Sequence, residues 1–126
     1  MNTAVRRLPP PFPGRDIAWR VSDSGSSMDC SLNWVQVFPE GATGSSPTQI
    51  LFFDHHRFVN TATARPTAFT HVVGSLWPGE VTVQFRWLIG DDPTANPRGR
   101  ADVHYQLLPF LPPFPIEQIP PQAFGG

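Results

Sequence analysis

The chain has 126 residues and a formal net charge of −1, which leaves room for one domain and removes the basic footprint of a nucleic-acid or anionic-membrane binder. Sixteen prolines and ten glycines interrupt it too often for long helices, and 40% apolar residues are too many for a wholly disordered segment. The longest uninterrupted apolar run, Ile50 to Phe53, is far below the roughly 20 residues of a membrane-spanning helix.

Met1 to Arg7 is a charged start with no apolar stretch behind it, because Pro9, Pro10 and Pro11 occupy that place. As written, the chain carries no secretory signal. Leu8-Pro9-Pro10-Pro11-Phe12-Pro13-Gly14 is echoed by Leu111-Pro112-Pro113-Phe114-Pro115, and ten of the sixteen prolines lie in residues 9–13 and 109–121. Consecutive prolines fix φ and lack amide donors, so residues 1–16 and 108–126 read as extended arms around a β domain at 17–107. Such arms serve as linkers, pack on their own domain through Phe12, Phe110 and Phe114, or offer ligands to an aromatic groove on a partner.

Between the arms the pattern is β. Residues 31–38 and 49–54 read as strands, and the four consecutive apolar residues of the second suggest a central strand covered on both faces. His55-His56 then makes a tight turn into residues 57–63, and residues 69–76 form a further strand. The clearest strand is Glu80 to Leu88, where Val81, Val83, Phe85 and Trp87 alternate with Thr82, Gln84 and Arg86. It pairs as a hairpin with residues 100–107, across a loop in which Pro93 and Pro97 bar strand continuation. Helix is expected to be short or absent, with its best place in the first 30 residues. The fold class is therefore mainly β: a single antiparallel meander of about six strands, curled as a half-barrel or small sandwich between Pro-rich arms.

Few residues combine into chemistry. His55 and His56 beside Asp54 raise a metal site, with His71 and His104 as remote ligands. Adjacent strand residues point to opposite faces, so a polar hairpin turn is the preferred reading and no cofactor is expected. His104 is placed on the polar face across from Arg86, as a solvated histidine. Ser45 or Ser46 is a poor nucleophile, because Pro47 replaces the last glycine of the nucleophile-elbow pattern. Asp91, Asp92 and Asn96 lack the alternating spacing of a calcium loop. Cys30, the sole cysteine, permits no internal disulfide and reads as a half-buried thiol. Four tryptophans and ten phenylalanines exceed what a small core needs. The surplus could line an apolar cavity, with Trp34, Phe85 and Trp87 as its candidate walls.

In order along the chain, several blocks resemble the actinobacterial, mycobacterial-type LppP/LprE lipoprotein family. They are Leu8 to Gly14, Asp29-Cys30 followed by Leu32-Asn33-Trp34, Gly41 to Pro47, Ile50 to Phe53, Thr61-Ala62-Thr63, Phe69-Thr70, Val81 to Trp87, and the Asn96-Pro97 turn before Gly99. All nine basic residues are arginine, which agrees with the GC-rich genome of such an organism. The resemblance implies a small, extracytoplasmic, membrane-anchored envelope protein without established catalytic residues. It therefore points to a non-enzymatic domain that binds a protein or lipid partner in the cell envelope. A carrier of a small apolar ligand is the alternative, and a small hydrolase or metal-dependent enzyme is third. The chain as written departs from the family in lacking the signal peptide and lipid-bearing cysteine. It also has a proline-rich run after Gln106, where a closing strand is expected, and an exposed sheet edge would follow.

Overall fold

The computed structural model describes residues 4–5, 7–9, 17–41, 46–93 and 95–124. Within them the chain forms eight strands: β1 (Trp19–Ser26), β2 (Leu32–Pro39), β3 (Gln49–Asp54), β4 (Arg57–Thr61), β5 (His71–Gly74), β6 (Glu80–Trp87), β7 (Gly99–Leu108) and β8 (Leu111–Pro115). They make two four-stranded antiparallel sheets, ordered β1-β2-β3-β4 and β5-β6-β7-β8. A single 3-10 turn at Pro121–Phe124 follows. The mainly β, antiparallel expectation of a half-barrel or small sandwich holds in outline; its single meander of about six strands is corrected to eight strands in two packed sheets, with no closed barrel.

Alternation explains the packing. Leu32 and Trp34 of β2 and Ile50 and Phe52 of β3 meet Val81, Val83 and Phe85 of β6 and Val103 and Tyr105 of β7 in one buried cluster. The Phe52 and Tyr105 rings lie 5.0 Å apart, and the Tyr105 hydroxyl donates to the Ala62 carbonyl at 2.7 Å. Burial pushes the Tyr105 phenol far above its usual range, so it keeps the proton it donates. The intervening residues Val35, Val37, Leu51 and Phe53 point to the other face of the first sheet. There, with Trp19, they form a second cluster covered by Ala4, Val5 and Leu8. β3 is therefore buried on both faces, as its continuous apolar run predicts.

Two strands lie where none is expected. β1 takes up part of the first 30 residues, where helix was expected and where Ala4 and Val5 are helical, and after Trp19 every one of its residues is exposed. It is an edge strand with no apolar face of its own, held by pairing to β2. Gly25 faces Trp34 across that pair, where a Cβ would lie 2.8 Å from the indole Cζ2. β8 supplies the closing strand that the proline-rich run was expected to prevent. Proline is tolerated there because an edge strand leaves one row of amides unpaired. Phe110 does not hold this segment to the domain, being fully exposed. Backbone pairing to β7 and a hydrogen bond from Asn60 Nδ2 to the Pro113 carbonyl (3.0 Å) hold it instead.

The hairpin end of the sandwich as candidate functional site

Because β1-β2, β3-β4, β5-β6 and β7-β8 are all direct hairpins, their four turns gather at one end of the sandwich. Hydrogen bonds between turns fix them together. His55 N donates to the Ser31 carbonyl (2.8 Å), Met28 N to Ser75 Oγ (3.0 Å), and Leu107 N to the Gly79 carbonyl (2.8 Å). At the centre is Asp29, whose Oδ1 accepts from Ser27 Oγ (2.7 Å), Ser31 Oγ (2.8 Å) and Gly79 N (2.9 Å). Those bonds, the Ser27 hydroxyl first, then Ser31 and the Gly79 amide, hold its carboxyl far below the usual carboxylate range. Cys30 beside it is exposed rather than half-buried, because it takes the left-handed position of the tight β1-β2 turn with φ 63°.

His55 occupies the same kind of position in the β3-β4 turn, with φ 58°. Its Nδ1 lies 2.8 Å from Asp54 Oδ1, and its carbonyl accepts from Asn33 Nδ2 at 2.7 Å. His55 and His56 line a groove of about 510 Å³ together with Trp34, Val35 and Phe53. Of the other proposed ligands, His71 lies opposite Gln84 on β5 and His104 on β7, both in the second sheet. Among the described residues no three His, Cys, Asp or Glu side chains come together as a metal set. Phe85 is fully enclosed between the sheets and Trp34 nearly so. Trp87 lies over Gly99, where a Cβ would meet its indole Nε1 at 2.1 Å. Ser45 lies outside the described residues, and Asp92 is engaged within its own loop by the amides of Ile89 (2.9 Å) and Arg98 (3.0 Å) and by the Arg98 guanidinium. Burial raises the Asp92 carboxyl, but these three contacts together outweigh it and hold it below its ordinary value.

The polar cluster that sequence reasoning missed is on the outer face of the second sheet. Glu80 is 0% exposed; its Oε1 accepts from Leu76 N (2.7 Å), and its Oε2 contacts His104 Nδ1 (2.7 Å) and the Thr82 hydroxyl. His104 is opposite Thr82, and it is Arg100 that lies opposite Arg86. The placement across from Arg86 fails because the hairpin register cannot be counted through the long β6-β7 loop. Nor is His104 solvated: its side chain is 21% exposed, with the Trp77 ring 5.3 Å away and Glu117 Oε2 3.8 Å from its Nε2. Thr82 is the only hydroxyl touching this pair among the described residues, and at 5% exposure it is closed to a substrate. The trio ties the β5-β6 turn, β6, β7 and the segment after β8 into one unit.

Beside Asp29, His55 and His56, the same end of the sandwich displays large apolar side chains. Met28, Leu76, Leu108, Phe110 and Leu111 are exposed, and Trp77 is partly so, its Nε1 donating to Gln106 Oε1. A family model described as LppP/LprE lipoprotein matches residues 24–109. The protein named "Putative lipoprotein LppP" in Mycobacterium tuberculosis (strain H37Rv) is 33% identical over 107 residues, 85% of this chain and 59% of its own. The protein of the same name in Mycobacterium bovis matches to the same extent. The chain thus spans about three fifths of the length of these relatives. No solved structure matches it. By the family model and by these relatives, the chain belongs to the LppP/LprE lipoprotein family.

Proposed function

We propose that this chain is a non-enzymatic contact domain of the cell envelope, working through its surface rather than by turnover. The observation that carries this reading is the contrast between interior and hairpin end. Leu32, Phe52, Val81, Val83, Phe85 and Val103 are each 0% exposed, so the space between the sheets is filled by side chains. The hairpin end, in contrast, displays large apolar residues from three separate turns. Membership in a lipoprotein family supports a membrane-anchored, extracytoplasmic setting for it.

A second reading, carriage of a small apolar ligand, draws support from the groove lined in part by Trp34, Val35 and Phe53. Its volume of about 510 Å³ is within the range of small-molecule sites. Native mass spectrometry of the protein purified from its own organism separates the two. The contact reading expects the bare chain mass, apart from any covalent lipid; a stoichiometric, extractable lipid would replace it with the carrier reading.

A further inference from the structure

We propose that the hairpin end is a bilayer-insertion surface, with the β7-β8 tip entering the lipid interface first. This rests on the contact-domain reading and names its partner as a lipid surface.

The argument starts from the order of side chains along β7 and into β8. His104, in contact with Glu80 and Glu117, is followed on the same face by Gln106, which holds Trp77, then by Leu108 at the strand end. Phe110 follows in the turn itself. Charged, then aromatic with a bonded ring N–H, then purely apolar is the order a bilayer presents from headgroup to acyl chain. At about 3.3 Å per residue, the stretch from Gln106 to the tip is on the order of 10 Å, the depth of an interfacial insertion. Residues 105–116 contain no charged side chain, so the β7-β8 tip enters without dehydrating an ion, while Asp29, His55 and His56 of the other turns stay at the headgroup level.

Two further observations point the same way. Phe110 is a non-glycine residue at φ 69°, an unfavourable backbone for a bulky side chain, yet it is fully exposed and packs on nothing. Leu76 and Met28 project from neighbouring turns that are hydrogen-bonded to each other, so the three apolar tips form a braced set. With a net charge of −1, the chain offers no electrostatic route to the same surface, and binding should be insensitive to salt.

The test is flotation of the full 126-residue chain with phosphatidylcholine vesicles, with and without phosphatidylglycerol, at low and high salt. Co-flotation in both lipids and at both salts is expected. Phe110→Asp and Leu76→Asp each lower the partition coefficient by about tenfold or more, while Ile89→Asp, in the β6-β7 loop at the opposite end, leaves it unchanged. All three sites are exposed, and an unchanged melting temperature checks that each variant folds. Wild type remaining with the lipid-free fraction overturns the proposal, as does equal flotation of the tip variants. Self-association in lipid-free buffer that Phe110→Asp abolishes also overturns it and assigns this end to a second copy of the chain. Loss of flotation with a ligand-free interior removes only the bilayer as partner; the contact-domain reading falls separately, by the mass measurement.

Discussion

Glu80 Oε2 lies 2.7 Å from His104 Nδ1, and the carboxylate is wholly buried although it is on the outer face of a sheet. Trp77, Leu76 and Glu117 close over the pair, so a polar contact holds the base of the apolar end. Removing one partner leaves the other without its bond in a desolvated place. Glu80→Ala is therefore expected to cost about 3 kcal/mol, and Glu80→Gln, which keeps the shape and most bonds, about 1 kcal/mol. Urea unfolding monitored by circular dichroism measures both; equal midpoints for wild type and Glu80→Ala would show the pair to be dispensable.

Gly99 is needed for closeness rather than for turning. A Cβ there would sit 2.1 Å from Trp87 Nε1, so Gly99→Ala has to push the indole off the strand, at a cost of about 1–3 kcal/mol. Combining it with Trp87→Leu removes the clash, and the double variant should be less destabilised than the sum of the two single changes. Additive losses in thermal unfolding would contradict this account of the packing.

The Asp29 carboxyl is held below its ordinary value by bonds made only in the folded chain. Its stabilisation is thus fully present above the unfolded value of 3.8, and is lost as the pH falls from there toward the depressed folded value. Asp29→Asn should lower the melting temperature at neutral pH, and the gap from wild type should narrow once the pH drops below about 4. A gap that stays constant into acid would mean that the β1-β2 and β5-β6 turns are not joined through the Asp29 charge.

Phe110→Gly separates strain from surface. Glycine accepts a φ of 69° without the penalty a phenylalanine bears, and the side chain removed touches nothing. After the extra flexibility of the unfolded chain is counted, a net gain of about 0.5 kcal/mol is expected. The same variant should lose vesicle binding. A destabilised Phe110→Gly would reveal a packing role for the ring.

Six of the eight strands were legible: four because their apolar residues keep the period of the pleat, as in Val81, Val83 and Phe85, or run continuously, as from Ile50 to Phe53, and β4 and β5 through their strand-forming residue types. β1 was not, since Arg20 to Ser26 contains one apolar side chain, Val21, and has no buried face to announce. β8 was hidden behind a sound rule: prolines 112, 113 and 115 exclude a central strand, but they do not exclude an edge. The Glu80-His104 contact depends on a hairpin register that the ten residues from Gly90 to Gly99 conceal. The apolar end depends on topology, because only the hairpin connections bring Met28, Leu76 and Phe110 together from distant parts of the chain. Cys30 was misjudged for a local reason, its positive φ in a tight turn.

That same cysteine allows the most direct test. It is the sole thiol, exposed, and placed in the β1-β2 turn beside Met28. A nitroxide attached to Cys30, read by its relaxation with oxygen and with a water-soluble paramagnetic complex, reports whether the hairpin end meets lipid. On phosphatidylcholine vesicles, increased contact with oxygen and reduced contact with the aqueous complex are expected. A label placed by Ile89→Cys in a Cys30→Ser background should remain aqueous. Equal aqueous contact at both ends, on vesicles that carry the protein, would contradict insertion through the hairpin end.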